Sequence, residues 1–593
     1  RVSYEPLTVI SDVEQAVAPD APRIYEDWED NIANRLEIQQ GDVQGAFAAA
    51  DLIIEETFRI GRSSAIPMET RGIVAQYDKY NQMLSVWYST QAPHQFRTEI
   101  SKILGVGEHQ IRVYTGDVGG GFGNKLHIFP EDLLVCWLSM KLDRPVKYIE
   151  DRREHLISTV HSRHQVHKVR AAFKRDGTLM ALEDTILSDQ GAHLHTKGSG
   201  PSFLTARMMS GSYRIPAISV EVLGVVTNKV PFGAYRGFGQ PQAVFVLEQL
   251  MNRAADRLGM DRIEIRRRNL IGPDELPYRT ATGMNYDSGD YTQALDRLLD
   301  TLSYTDLAVE KERAAEQGKR LGVGITFNVE CGGFGPSRVL ERMGQNQGGF
   351  ETALVRMDPS GNVTAFTGIA VIGQGAETTL AQICADILDV DLNAVKVVHG
   401  DTELCPYSGY GSAGSRGATV GGAAMVKACE GLKQKILQIG ASFLEVDPQD
   451  LELSGGNVQV KGFPERSVSL KKIAHAAYTT HGLPDGIEPG LEYRATYDPD
   501  DWTYAYSANL AVVELDEETG QVQVKRFVMV HDCGTALNPM IVEGQIAGGL
   551  AQGLGGALLE EIIYDANGQI LSTTFMDYLL PSMSEVPDVE IHH

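Results

Sequence analysis

The spacing of hydrophobic and polar residues predicts a protein that mixes strands and helices. Residues 84–91 and 111–115 alternate apolar and polar side chains, as half-buried strands do. Residues 243–258 instead carry apolar side chains at helical spacing. Strand patterns dominate residues 146–230, and the second half of the chain again mixes both patterns. No apolar run approaches the ~18 residues of a membrane-spanning helix, so we expect none.

The same patterns make local predictions nearer the start of the chain. Residues 2–5 predict a strand, followed by a segment rich in proline and acidic residues up to about residue 35. Residues 43–54 predict a short helix and residues 55–60 a strand. A further helix is predicted with Pro130 near its first turn. Its predicted buried face consists of Leu133, Leu134, Trp137 and Leu138.

A stretch rich in proline, glycine and aspartate at residues 266–289 predicts a domain boundary. We therefore divide the chain into residues 1–35, 36–275 and 276–593. At 593 residues, the chain is long enough for several domains.

Charge and cysteine usage exclude several classes of partner. The chain has 53 Lys and Arg against 78 Asp and Glu, a net charge of −25, which argues against nucleic acid or an anionic membrane. Its six cysteines are far apart, which excludes a local iron–sulfur or zinc-ribbon motif and predicts buried thiols in a reducing, cytoplasmic compartment. His161, His164 and His167 recur every third residue, and we interpret them as solvated strand histidines rather than a metal site.

The loop at residues 229–242 is the first candidate site, because it places Arg236 among three glycines and two prolines. Glycines let the backbone turn sharply and approach a bound group. An arginine fork suits an oxygen anion or a carbonyl that is gaining charge. Alone, this pattern is more typical of a surface loop with a solvated arginine, so its function depends on the rest of the chain.

Four glycine-rich segments precede predicted helices: residues 119–123, 373–375, 411–422 and 544–556. A helix N-terminus exposes unpaired N–H groups that can hold an anion. Three of the segments also carry polar side chains, namely Gln374, Ser412, Ser415 and Gln545. Together they favour one large phosphate-bearing ligand over packing alone. A P-loop and a G-x-G-x-x-G fingerprint are both missing, which disfavours a flavin or nicotinamide enzyme.

Taken in order, these motifs resemble the molybdenum hydroxylases, the family of xanthine dehydrogenase, aldehyde oxidase and the large subunit of aerobic carbon monoxide dehydrogenase. The matching motifs are Ser89-Thr-Gln91, Gly119-Gly-Gly-Phe-Gly123, Ala234-Tyr-Arg-Gly-Phe-Gly239, Gly373-Gln-Gly375 and Asn538-Pro-Met-Ile-Val-Glu-Gly-Gln545. The resemblance implies an α+β fold with two elongated molybdopterin-binding domains around a shared cofactor cleft. Residues 36–275 and 276–593 would be these domains, and residues 1–35 the end of a hammerhead-like domain plus a linker.

The resemblance also implies roles for single residues. Gln91 and Arg236 would be catalytic, with Arg236 beside the substrate and Gln91 near a molybdenum-bound oxygen. The residues implied in cofactor binding are Gln91, Gly121, Phe122, Gly123, Arg236, Gly373, Gln374, Gly375, Ser412, Ser415 and Gln545. No side chain is implied as a metal ligand. The implied cofactor is molybdenum-molybdopterin as the cytosine dinucleotide.

The implied reaction hydroxylates an electron-poor carbon and passes electrons to an iron–sulfur small subunit and an FAD-binding medium subunit, in a dimer of heterotrimers. Gly237 stands where carbon monoxide dehydrogenases have a copper-binding cysteine, and Leu126 where purine hydroxylases have a glutamate. An aldehyde or another N-heterocycle is therefore the expected substrate. We expect truncation at both ends, with the catalytic glutamate outside the chain. The alternative is a non-catalytic cofactor-binding or assembly module.

Overall fold

The first half of the chain forms two sheets, and the three central strands of the larger sheet are buried along most of their length. The computed structural model describes residues 2–593, without the side chains of residues 304 and 305. The strands are β1 (Ile32–Gln40), β2 (Leu52–Ile60), β3 (Gly72–Asp78), β4 (Met83–Tyr88), β5 (Ile111–Tyr114), β6 (Val146–Ile149), β7 (Gln165–Phe173), β8 (Leu179–Gly191) and β9 (Ala217–Val226). One sheet has the order β1-β9-β8-β7-β2, and the other has the order β5-β4-β3-β6.

Helices cover these sheets: α1 (Val13–Ala16), α2 (Val43–Ala48), α3 (Pro93–Leu104), α4 (Pro130–Leu142), α5 (Arg152–Ser158), α6 (Gly200–Met208), α7 (Gln240–Leu258) and α8 (Arg262–Asn269). The long helix α7 begins after Gly239 (φ 98°) and ends at Gly259 (φ 63°), two positions where the backbone requires a positive φ. Its buried side chains, among them Val246 and Leu250, pack into the core of the five-stranded sheet. This anchoring fixes the arginine loop that precedes α7.

The second half contains three further sheets and a short hairpin. Its strands are β10 (Tyr278–Arg279), β11 (Asn285–Tyr286), β12 (Lys319–Gly332), β13 (Glu351–Met357), β14 (Val363–Thr367), β15 (Val395–Val398), β16 (Leu451–Ser454), β17 (Asn457–Val460), β18 (Phe463–Ser469), β19 (Leu491–Tyr497), β20 (Thr503–Asp516), β21 (Val522–Asp532) and β22 (Val589–His592). The sheet orders are β12-β20-β21-β22, β15-β14-β13-β19 and β16-β17-β18, and β10 pairs with β11.

The helices of this half are α9 (Tyr291–Asp300), α10 (Tyr304–Glu316), α11 (Ser337–Arg342), α12 (Ala376–Leu388), α13 (Ala423–Leu444), α14 (Leu470–Thr479) and α15 (Pro539–Leu558). The helices α12, α13 and α14 share a core with the β13–β14–β15–β19 sheet. Strands β12, β20 and β21 instead pack into the same core as the five-stranded sheet, so the two halves are joined by buried apolar contacts. No helix within residues 2–593 combines the length and apolar character needed to cross a bilayer.

Three local predictions were wrong, each because a tertiary contact decides the outcome. The strand predicted at residues 2–5 is absent from the described chain, where no other strand pairs with it. The helix predicted at residues 43–54 ends at Ala48, and β2 already begins at Leu52 because it pairs with β7. On α4, Leu134 and Trp137 are 51% and 44% exposed, and the buried face instead carries Asp132, Val135, Cys136 and Ser139.

The prediction of solvated strand histidines was also wrong. His161 and His167 are fully buried, and His167 Nδ1 lies 2.7 Å from Asp184 Oδ2. His164 Nδ1 lies 2.8 Å from Asp189 Oδ2. Each ring is satisfied by a group on a neighbouring segment, which alternation along one strand cannot show.

Candidate functional site

A deep cleft between the two halves brings most of the predicted site residues together. Its volume is about 3520 Å³, and both the arginine loop and the glycine-rich segments of the second half contribute to its walls. Nine of the eleven predicted residues line it: Gln91, Phe122, Gly123, Arg236, Gly373, Gln374, Ser412, Ser415 and Gln545. The motifs are therefore close in space although they are far apart in the chain.

The other two predicted residues, Gly121 and Gly375, lie behind the wall. A Cβ at Gly121 would stand 2.5 Å from Gln91 Oε1. At Gly375, where φ is +72°, a Cβ would stand 2.5 Å from Ile541 Cδ1. Both positions thus allow a close approach of two segments, because no side chain fits there.

Gln91 connects the two halves across the cleft. It follows β4 and is 3% exposed. Its Oε1 accepts a hydrogen bond from Gly123 N at 2.9 Å, and its Nε2 donates to Ser412 O at 2.8 Å. Ser412 N in turn donates to Gln91 O at 3.0 Å. An amide has two N–H donors, so one N–H of Gln91 remains beyond its bond to Ser412.

The glycine-rich segment 119–123 packs directly against the arginine loop. Phe122 and Gly123 both have positive φ, of 52° and 106°. A Cβ at Gly123 would stand 2.7 Å from Ala234 O. Arg236 N donates to Phe122 O at 2.9 Å, which fixes the backbone of the arginine.

The guanidinium of Arg236 extends across the cleft to α15. It donates to the main-chain oxygen of Gln545 at 2.7 Å and to Gln545 Oε1 at 3.2 Å. A further bond reaches Gln552 Oε1 at 3.3 Å. Burial lowers the pKa of Arg236, and Glu330, which also lines the cleft, opposes that shift. A guanidinium keeps its charge at neutral pH even so.

Arg163 supports this loop through two contacts. It donates to Arg236 O, and its guanidinium lies 4.3 Å from the ring centroid of Tyr235. Its Nη1 is buried without a hydrogen-bond partner. Nothing in the local sequence around a lone arginine indicated this role.

In the second half, Gln374 holds the turn that precedes α12. Its Oε1 accepts from Ile372 N at 2.8 Å, and its Nε2 donates to Ala370 O at 2.9 Å. The same Nε2 lies 3.3 Å from Ser412 Oγ. Gly373 has a φ of +95° and open space where a Cβ would point, so its backbone is accessible from the cleft.

The segment at residues 544–556 differs from the prediction, because it lies inside α15 and not in a turn before it. The guanidinium of Arg236 lies over Gly548 and Gly549 of this helix, 3.5 to 3.9 Å from where their Cβ atoms would be, which is an ordinary contact distance. Gln545 is exposed to the cleft from this helix. Ser415 also faces the cleft, in a left-handed conformation with φ 55°.

The cleft suits a large anionic ligand. Nine lysines and arginines but only six aspartates and glutamates line it, in a chain whose net charge is −25. Several helical segments begin at its wall without a side-chain cap, among them α12 after Gly375 and the π-helical turn Gly417–Gly422 before α13. Their free N–H groups can receive phosphate oxygens. The residues present therefore fit a phosphate-bearing cofactor.

A metal ion in this cleft would have to arrive with such a cofactor. Among the side chains described for residues 2–593, the group that could hold an ion is Asp117, Glu377 and His399. None of the three lines the cleft, and two of them are exposed.

Several charged residues of the cleft were missed in the sequence, because only the fold brings them there. Burial raises the pKa of Glu330, and the positive charge of Arg236 opposes that rise. Burial also raises the pKa of Glu560, whose Oε2 accepts from Tyr578 Oη at 2.5 Å. Lys197 lines the cleft as well, and burial lowers its pKa to about 8.

Comparison with known proteins agrees with this geometry. The molybdopterin cofactor-binding domain matches twice, over residues 24–270 and 297–587. The carbon monoxide dehydrogenase large chain of Afipia carboxidovorans is 38% identical over 616 residues, covering 100% of this chain and 75% of the relative. The nicotine 6-hydroxylase large subunit of Paenarthrobacter nicotinovorans is 36% identical over 568 residues, covering 95% and 69%.

Among solved structures, quinoline 2-oxidoreductase from Pseudomonas putida 86 superposes with a TM-score of 0.94 at 38% identity, covering 100% of this chain and 75% of that one. The two halves of the chain thus match molybdopterin cofactor-binding domains, and the whole chain superposes on a solved oxidoreductase. The chain belongs to the molybdenum hydroxylase family.

Proposed function

We propose that this chain is the catalytic subunit of an oxidoreductase that hydroxylates an aldehyde or an N-heterocycle with oxygen from water. One observation carries the proposal: Gln91, Arg236 and the uncapped start of α12 meet in one cleft from both halves of the chain. A cofactor-binding surface needs only the last of these. A charged fork beside the cofactor is what a reacting substrate needs.

A bound molybdopterin cofactor would supply the oxygen and accept the two electrons. The chain's own residues would hold the substrate and stabilise the negative charge that develops on its carbonyl oxygen or ring nitrogen. Arg236 is suited to that task because α15 and Phe122 already fix its position, so little reorganisation is needed. Gln91 would donate its remaining N–H to an oxygen atom in the cleft.

The backbone after Arg236 supports a substrate other than carbon monoxide. Gly237 has a φ of +93°, and a Cβ there would stand 2.5 Å from Pro241 Cγ. A cysteine at this position would be strained and would collide with the ring. Leu126, at the position of the glutamate expected in a purine hydroxylase, lines the cleft with an apolar side chain. An aldehyde or an N-heterocycle other than a purine therefore fits best.

The cofactor form and the partners are part of the same proposal. We infer the cytosine dinucleotide of molybdopterin, with the pyrophosphate at the uncapped helix starts. The chain has no clustered cysteines to carry electrons away. An iron–sulfur small subunit and an FAD-binding medium subunit would do so, and the relatives' names, which include "large subunit" and "complex subunit gamma", support multi-subunit assembly.

The test is to purify the native complex and assay matched substrates in water labelled with ¹⁸O. We expect molybdenum, cytidine monophosphate on acid release, and labelled products from quinoline or benzaldehyde. Oxidation of carbon monoxide or xanthine at an equal rate would contradict the substrate assignment. A fully loaded complex that oxidises none of the four would instead favour the non-catalytic module.

A further inference from the structure

Lys197 is a cation of the cleft that no established role explains. It lies between β8 and α6 and lines the cleft. Within the described side chains it forms no salt bridge, and Glu99 on α3 acts on it from beyond 4 Å. Its Nζ lies 5.2 Å from the ring centroid of Tyr410. Because Lys197 is partly exposed to the cleft, its ammonium group is available to an anionic group of a bound ligand.

Contacts on one side connect the segment of Lys197 to the arginine loop. His195 Nδ1 lies 2.8 Å from His127 Nδ1. His127 Nε2 accepts from Ala234 N at 3.0 Å, so Nδ1 of His127 carries the proton and donates to His195. Ala234 is two residues before Arg236. This fixed histidine pair holds the backbone of Lys197 beside the arginine loop.

On the other side, Lys197 reaches the second half of the chain. Tyr410, beneath its ammonium group, precedes Ser412 by two residues. Ser412 is bonded to Gln91 across the cleft. The contacts on the two sides of Lys197 thus lead to Ser412, the partner of Gln91, and to the loop of Arg236, all of which line the same cleft.

The wall next to Lys197 carries apolar side chains besides the polar His195, Thr196 and Ser199. Leu194 on the same segment lines the cleft, and so do Phe203 and Leu204 on α6. A ligand here would place an apolar body against these side chains and an anionic group on the ammonium. The helix α6 after Lys197 also begins without a side-chain cap, but Pro201 has no N–H and Gly200 N already donates to Lys197 O at 3.3 Å, so it offers phosphates fewer free donors than α12 does.

We propose that Lys197 determines substrate specificity by binding a carboxylate, so that the preferred substrate is an aromatic or heteroaromatic acid carrying the aldehyde or ring carbon to be hydroxylated. This assignment rests on the proposed function, since it adds one substituent to that substrate class. It requires no covalent step by Lys197.

The protonation of Lys197 gives the interaction a defined pH range. Burial lowers the pKa of Lys197 to about 8, so the cation is complete below that pH and is lost above it. The groups that face it are Glu99 on α3, Tyr410 and His195. Burial lowers the pKa of His195 to about 4 and raises that of Tyr410 to about 12. Neither therefore changes charge between pH 6 and 9, and the loss above pH 8 belongs to Lys197.

The experiment uses the native complex and two matched pairs: 4-formylbenzoate with benzaldehyde, and pyridine-3-carboxylate with pyridine. We expect the acid of each pair to have the higher kcat/KM at pH 7. In Lys197→Met the ratio of acid to neutral substrate should fall about tenfold or more, and Lys197→Arg should restore most of it. Lys147→Met, on exposed β6, is the matched lysine control and should leave the ratio unchanged.

A second readout separates this proposal from the proposed function. Benzoate, which is not turned over, should bind the wild-type complex more tightly than benzamide in calorimetry, and Lys197→Met should abolish that difference. Equal benzoate binding by both proteins overturns the inference even if no substrate is oxidised. An equal loss of rate on acid and neutral substrates, together with molybdenum, would assign Lys197 to the cofactor and also overturn it. If the variant does not fold, the wild-type ratio must fall between pH 7 and 9; a constant ratio refutes the proposal.

Discussion

Replacing Arg236 by methionine removes the charged fork from the cleft and keeps a side chain of similar length. The main-chain bond from Arg236 N to Phe122 O is unaffected by the change, so the loop keeps its principal anchor. The bonds from the guanidinium to Gln545 and Gln552 are lost. The variant therefore separates the charge of Arg236 from the shape of its loop.

Two effects of different size are expected. Removing one positioned donor from developing negative charge typically costs about 3 kcal/mol, or about a hundredfold in kcat/KM. The partners that the guanidinium loses on α15 are neutral hydrogen-bond acceptors that face a wide cleft. Water can replace the guanidinium there, so we expect the free energy of unfolding to fall by about 1 kcal/mol or less. The rate should thus fall much further than the cofactor content.

The assay measures kcat/KM for benzaldehyde and quinoline, and molybdenum per chain in the same preparations. Arg236→Lys keeps the charge but cannot reach both glutamines with a planar fork. Its kcat/KM should therefore lie between that of the methionine variant and that of the wild type. Arg153→Met, on the exposed side of α5, is the matched arginine control and should match wild type in both readouts.

A parallel loss of molybdenum and rate in Arg236→Met would refute this reasoning, because it would make Arg236 a residue that retains the cofactor. A rate within threefold of wild type at full molybdenum content would also refute it, since the charge would then contribute nothing to the reaction.

Three further predictions follow from the geometry. Gly237→Cys should lower activity without producing carbon monoxide oxidation, because its Cβ would collide with Pro241 in a left-handed backbone; normal rates by gas-phase assay would contradict this. Gln91→Ala should lower molybdenum content and rate together, because it removes both the bond from Gly123 N and the bond to Ser412 O across the cleft; a loss of rate alone would oppose it. Burial alone would raise the pKa of Asp189, but Arg62 and other cations hold it well below its ordinary value. Its contribution is therefore complete above about pH 4 and lost below, so Asp189→Asn should lower the free energy of unfolding measured in urea by about 3 kcal/mol, equally at pH 5 and 8. A difference that vanishes at pH 5 would contradict the ion cluster.

Local patterns predicted those parts of the fold that local contacts determine. The prediction of a helix at residues 243–258 was confirmed, with α7 beginning three residues earlier, because its apolar spacing and its glycine ends agree. The buried face of α4 could not be predicted in the same way. Leucine and tryptophan at helical spacing indicated one face, but Asp132 is buried on another because Tyr88 Oη donates to it at 2.6 Å.

The candidate site likewise has parts that the sequence predicts and parts that only the fold determines. Its glycine motifs were visible in the sequence because they require conformations or close approaches that few other residues allow. Arg163 and Lys197 were not, because an isolated cation has no local signal and only the fold places it in the cleft. The interpretation of residues 544–556 failed for a related reason: glycine repeats precede helices, but they also form a flat helix surface on which an arginine can lie.

That flat helix surface indicates how binding and structure are linked in this protein. Apart from Glu543, Gln545 and Gln552, α15 consists of apolar residues and glycines, yet only Gly555 is buried, so its side chains gain little from packing against the rest of the chain. Its contacts across the cleft include the polar bonds that Gln545 and Gln552 make with Arg236. A ligand that fills the cleft would cover the remaining surface and would bind the assembled wall in preference to a detached one. Such a ligand must therefore stabilise α15. Under the proposed function, the helix that contacts Arg236 would thus be held most firmly with the cofactor in place, and the position of the arginine would depend on the cofactor.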